Sequence, residues 1–130
     1  MQKDQRIKPG FWVASSRKDL KTFPKAVQSD VGYALFAAQC GDEYRSAKSL
    51  GGFGGRDVLG IVASHDRDTY RAVYTVRFKA AIYVLHAFQK KSKKGISTPK
   101  PEIDLIWRRL ADAARHYEEG THNHGEEEER

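Results

Sequence analysis

Residues 58–88 hold three apolar, strand-like runs in close succession, and this stretch constrains the fold more than any other. VLGIVAS (58–64) puts Leu59, Ile61 and Ala63 on one face. TYRAVYTVRF (69–78) alternates, with Tyr70, Ala72, Tyr74, Val76 and Phe78 facing one way and Arg71, Val73, Thr75 and Arg77 the other. IYVLHAF (82–88) is the third run. The links HDRD (65–68) and KAA (79–81) are short, so the three strands are expected to form an antiparallel meander.

The flanks read as helical. After a polar segment over 1–10, expected to be flexible, FWVAS (11–15) reads as a short strand that is free to join the sheet edge. Ser16 stands three residues before Asp19, a weak capping pattern for a helix over about 16–22. Pro24 opens a second helix, in which Val27, Val31, Ala34, Leu35 and Ala38 share a face and Gly41 marks the stop. Together they predict a helical hairpin. Thr98 and Pro99 start a last helix, with Ile103, Ile106, Trp107, Leu110, Ala114 and Tyr117 as its buried stripe and Gly120 as its end. The expected fold is α+β, a small antiparallel meander with an N-terminal helical hairpin and a C-terminal helix. The domain is placed at residues 11–118, and the tail over 119–130 is expected to be disordered, having nothing apolar to bury.

Charge is distributed unevenly. Residues 118–130 carry six acidic residues and one basic residue, whereas residues 1–117 carry 22 basic and 11 acidic ones. A basic body of this kind suggests a polyanionic partner, nucleic acid or ribosome. No apolar run approaches a membrane span and MQKDQRIKPG lacks the core of a signal peptide, so the expectation is a soluble, intracellular protein without a membrane partner. The lone Cys40 cannot form an internal disulfide and reads as a packing residue.

Several chemistries find no support. The cysteine is far from any histidine at ligand spacing, and the letters HNH at 122–124 lie in a low-complexity end, so neither zinc nor any other cofactor is expected. Asp66 and Asp68 belong to a turn that favours aspartate. The glycine-bearing loop DEYRSAKSLGGFGGR (42–56) lacks Gly-Lys-Ser/Thr and is no nucleotide phosphate loop. It reads as a flexible connection, or as a carrier of Lys48 toward a phosphate backbone. There is no Gly-x-Ser-x-Gly elbow for a serine nucleophile.

Cations and hydroxyls on the sheet remain. Arg71 sits in mid-strand, where its charge must be partly desolvated and so calls for a partner or a ligand. Tyr70 and Tyr74 fall on the other face. His86 precedes the cluster FQKKSKKG (88–95), and is either a satisfied core histidine or a proton donor or acceptor. The lysines of the cluster either guard a sheet edge or aim at something negative.

Taken in order, SAKSLGGFGG, TYRAVYTVRF and YVLHAFQKKSKKGISTP resemble the RelE/ParE toxin superfamily, and most of all its HigB-like, phage-derived branch. The resemblance covers residues 11–118. It implies a small antiparallel sheet wrapped by helices, and the toxin of a type II toxin–antitoxin pair. RelE-like members cleave messenger RNA in the ribosomal A site without a metal, by attack of the ribose 2′-hydroxyl on the adjacent phosphate. It also implies a cytoplasmic location, the ribosome and messenger RNA as targets, and a helix-turn-helix antitoxin of the HigA type. Matched by motif, Arg71 corresponds to the phosphate-binding arginine, and Lys90 and Lys91 to the basic positions after the last strand. His86 joins them as a catalytic candidate for proton handling, with His65 as the other histidine. Lys48, Arg77, Lys93 and Lys94 are the RNA-binding candidates. Two departures are visible: Gly60 stands in the strand where relatives often carry an acid, and no tyrosine matches the family's final catalytic one. The resemblance leaves open a gyrase-binding, ParE-like toxin and a non-toxic module that binds RNA or an antitoxin.

Overall fold

The computed structural model describes residues 7–55, 57–90 and 98–128, the last eight as backbone only. Its elements are β1 (Gly10–Trp12), α1 (Ser16–Leu20), α2 (Lys25–Gln39), β2 (Lys48–Ser49), β3 (Val58–His65), β4 (Asp68–Thr75), β5 (Ile82–Lys90) and α3 (Lys100–Glu128). One five-stranded sheet has the order β1-β5-β4-β3-β2. The fold is α+β, and the meander of β3, β4 and β5 is antiparallel as expected.

The tight turn between β3 and β4 explains its own sequence. His65 pairs with Asp68, leaving Asp66 and Arg67 as a two-residue loop with φ of 50° and 74°. Both residues are left-handed, the mirror-image turn whose twist matches a hairpin. β4 ends at Thr75 rather than Phe78. The Thr75 hydroxyl donates to the Asp57 carbonyl at 2.6 Å and accepts from the Arg77 amide at 3.1 Å. Such local bonds compete with the ladder and stop the strand.

The first strand joins the sheet edge, but in parallel: Gly10, Phe11 and Trp12 pair with Ile82, Tyr83 and Val84. The sheet is therefore mixed. A parallel pair needs a long crossover, and α1, α2, β2, β3 and β4 all lie between these two strands. Part of the loop expected over 42–56 is likewise sheet, since Lys48 and Ser49 pair antiparallel with Gly60 and Leu59.

Helices cover both faces. On one side α2 presents Val27, Val31, Ala34, Leu35 and Ala38 to Ile61, Ala63, Tyr70, Ala72 and Tyr74 of the sheet. On the other, Ile106, Leu110 and Ala113 of α3 meet Val58, Val73, Tyr83 and Leu85. This double cover is why β5 reads as a continuous apolar run rather than an alternating one. Each fully buried side chain of this size contributes about 1.5–3 kcal/mol.

The helix ends differ in detail from expectation. Pro24 is the cap of α2 rather than its first residue, and Gly41 (φ 87°) takes the left-handed turn that ends it. Ser15, not Ser16, precedes α1 and bonds Asp19; Ser16 is buried and donates to the Val84 carbonyl at 3.2 Å. α3 passes Gly120 and runs on to Glu128, into the stretch expected to lack structure. One glycine inside a helix costs only about 1 kcal/mol relative to alanine. Among the described residues no helix is long and apolar enough to cross a membrane.

Candidate functional site

A β-bulge assembles the site. In the β4–β5 ladder Thr69 pairs with Lys90, Arg71 with Phe88 and Val73 with His86, but Tyr74 pairs with Val84. Leu85 is the extra residue. A bulge resets the alternation of its strand, so Leu85 and His86 both face α3. Without it, His86 would turn with Val84 toward α2. With it, Arg71, His86, Phe88 and Lys90 share the α3 face.

The two cations lie deep. Arg71 is 7% exposed and Lys90 9%. Arg71 Nη1 donates to the Thr98 hydroxyl at 2.9 Å; α3 starts at Lys100 with the Pro99 carbonyl accepting its first bonds, so the hydroxyl expected to cap the helix holds a guanidinium instead. Burial lowers the pKa of Arg71. Burial and then the neighbouring Arg71 charge lower that of Lys90. A lysine eased toward its neutral form gives up a proton more readily.

Above His86 stands the first turn of α3. His86 Nε2 lies 2.5 Å from Glu102 Oε1. Arg109 Nη1 approaches His86 Nδ1 at 3.4 Å and donates to the Leu85 carbonyl at 2.9 Å. A guanidinium only donates, so Nδ1 accepts and Nε2 carries the proton toward Glu102. Phe88 stacks on the imidazole with ring centroids 4.8 Å apart. Arg109 also reaches Ser15 at 3.2 Å, and Ser15 donates to Asp19, which ties α3 to α1 across β5 at Leu85. His86 is thus a satisfied histidine with both ring nitrogens engaged, next to a carboxylate whose side chain is 32% exposed.

The other candidates fall in different places. Register carries Lys48 across Gly60 and Val73 to His86, so Lys48 is on the same face, three strands or about 14 Å away at the exposed edge. Gly60 gives that row no side chain, and Leu50 takes the room, its Cδ1 3.5 Å from where a Cβ would stand. The glycine loop is anchored by buried Phe53, which stacks on Trp107 of α3 at 4.5 Å. Trp107, expected in the core, is 46% exposed. Arg77 does not join Arg71: it lies beyond the end of β4 and bonds Asp57 at 3.1 and 3.3 Å. His65 sits at the hairpin turn, 3.6 Å from Asp66. Lys91, Lys93 and Lys94 lie outside the described residues. A cavity of about 550 Å³ lies on the α2 side and is lined by Tyr74, Tyr44, Glu43 and Asp42 among others, so it does not contain the Arg71 cluster.

Sequence reasoning missed Glu102, Arg109 and Thr98 as partners of the cluster. Glu102 gives a sequence signal only as an acid in the first turn of a proline-opened helix.

Comparisons with known proteins add the following. A family model described as phage-derived protein Gp49-like (DUF891) matches residues 18–111. Among solved structures, the toxin–antitoxin complex RelBE2 from Mycobacterium tuberculosis is similar at 17% identity and a TM-score of 0.43, covering 68% of this chain and 100% of that one. No curated protein matches the sequence.

Proposed function

The chain belongs to the phage-derived Gp49-like family, and from that premise we propose that it is the toxin of a type II toxin–antitoxin pair, a HigB-like endoribonuclease of the RelE/ParE superfamily acting on messenger RNA at the ribosome. The observation that carries the reading is the grouping of Arg71, Lys90 and His86 on one sheet face beside the start of α3. Cleavage needs positive charge over a phosphate, a base for the 2′-hydroxyl and a proton for the departing oxygen. Arg71 and Lys90 supply the charge, and Lys90 the proton. Lys48, on the same face, offers further positive charge to the RNA backbone. The protein works in the cytoplasm, and a helix-turn-helix antitoxin holds it inactive.

One observation favours a second reading, a non-toxic module that binds RNA or an antitoxin. Arg71 is deeply buried and bonded to Thr98, as a purely architectural arginine would be. Inducing the wild type and Arg71→Ala in growing cells, then mapping message ends, separates the readings. The toxin reading expects arrested growth and fragmented translated messages with the wild type, and neither with the variant. Normal growth on strong expression of folded wild type supports the binding module. Intact messages with accumulating cleaved DNA point to gyrase instead.

A further inference from the structure

We infer that Glu102 is the general base that takes the proton of the attacking 2′-hydroxyl, and that His86 is the residue that positions it. The inference rests on the cleavage reading above. His86 is 6% exposed, and both its ring nitrogens are committed, Nε2 to Glu102 and Nδ1 to Arg109. It has no atom to offer a substrate. Glu102 uses one carboxylate oxygen on His86, and with its side chain 32% exposed it has the other available.

Placement puts this carboxylate beside the phosphate-binding arginine. Thr98, in the lead-in to α3, bonds Arg71, and Glu102, four residues on in its first turn, bonds His86. On the sheet below, Arg71 pairs with Phe88, which makes His86 its diagonal neighbour on the same face, about 7–8 Å away. A phosphate on Arg71 therefore has its flanking ribose within reach of Glu102. The charged groups around the pair are Arg71 from β4, Arg109 with Arg108 and Asp112 from α3 and, behind Ser15, Asp19 from α1, while Lys90 lies two positions beyond Phe88 on β5.

The step balances. The 2′-oxygen passes its proton to the free carboxylate oxygen and forms the new bond to phosphorus. The bond from phosphorus to the 5′-oxygen breaks, and that oxygen leaves with the electron pair and takes a proton from the Lys90 ammonium. The products are a 2′,3′-cyclic phosphate and a 5′-hydroxyl; Glu102 returns its proton to solvent and the Lys90 amine takes one up.

The test is single-turnover cleavage of a message bound to 70S ribosomes, across pH, with wild type and Glu102→Gln. Glutamine keeps an oxygen that accepts from His86, so the fold is preserved. The expected result is unchanged ribosome binding, cleavage slowed by about 10²–10⁴-fold, and loss of the acid limb of the pH–rate profile, which reports the base. Glu102→Asp is the second variant, to be read if the glutamine variant melts early. It should keep the acid limb and cleave faster than the glutamine variant. Glu102→Gln cleaving within a few-fold of wild type with an unchanged profile overturns the inference and leaves the cleavage reading standing, as does Glu102→Asp losing the acid limb. Ribosome-bound message left intact by wild type overturns both.

Discussion

The Arg71 guanidinium donates to the Thr98 hydroxyl at 2.9 Å, so the middle of β4 and the lead-in to α3 are held as one unit. Thr98→Val removes one hydrogen bond to a buried charge and should cost about 1.5–3 kcal/mol, read by urea denaturation. It should slow growth arrest without abolishing it. Arg71→Lys should fail to replace arginine, because a point charge lacks the planar fork of donors. Full toxicity in the lysine variant counts against a fork-shaped phosphate contact.

Phe53 and Trp107 should differ in cost although they stack on each other. Phe53 is 4% exposed, and Phe53→Ala should cost about 3–5 kcal/mol. Trp107 is half-exposed, and Trp107→Ala should cost less. A double-mutant cycle by denaturation should give a coupling of about 0.5–1.5 kcal/mol. No coupling would mean that the loop does not depend on α3 for its anchor.

Asp57 and Arg77 predict a small acid sensitivity. The hydrogen bond from Arg77 holds the Asp57 carboxyl below its ordinary value of 3.8. The unfolded chain then takes up this proton first as pH falls. The contribution is present above about pH 4 and is lost as pH drops through the folded value. Both side chains are 36% exposed, so screening keeps it below about 1 kcal/mol. Arg77→Ala should lower stability slightly at pH 6 and hardly at all at pH 2.5, by denaturation at each pH.

Tyr74 predicts an alkaline counterpart. Burial, and then the charge of Glu43, push its phenol up to about 12. The unfolded chain ionises near pH 10 while the folded one still holds its proton. Stability should fall between those values, by up to about 1.4 kcal/mol per pH unit. Tyr74→Phe should flatten that decline. Ultraviolet titration of the wild type should show one tyrosine ionising well after the most exposed ones. Unchanged alkaline sensitivity in Tyr74→Phe would assign the decline to other groups.

The meander and the helix faces were legible because period-two and period-3.6 patterns are local. Val27, Val31, Ala34, Leu35 and Ala38 are all buried. Arg71 stood out as a charge in an apolar strand for the same reason. The bulge at Leu85 was not legible, because IYVLHAF is apolar throughout and a strand covered on both faces leaves no alternation to break. With the bulge hidden, the face of His86 was unknown, and so was its meeting with Glu102. Arg77 was misplaced by extending the alternation of β4 past Thr75, where a single hydroxyl ends the strand. The parallel pairing of β1 depends on residues some seventy positions away, which no local pattern reports.

That same pairing bears on how the protein comes into being. Gly10 cannot find Ile82 until more than seventy further residues have been made, roughly 4–14 s at 5–20 residues per second. Contacts this distant in sequence are slow to close. Thr98, Glu102 and Arg109 emerge later still. A nascent chain therefore carries helices and half a sheet but no assembled cluster around Arg71. The cluster stays incomplete until residue 109 has left the exit, and any partner that recognises the finished sheet must wait as long.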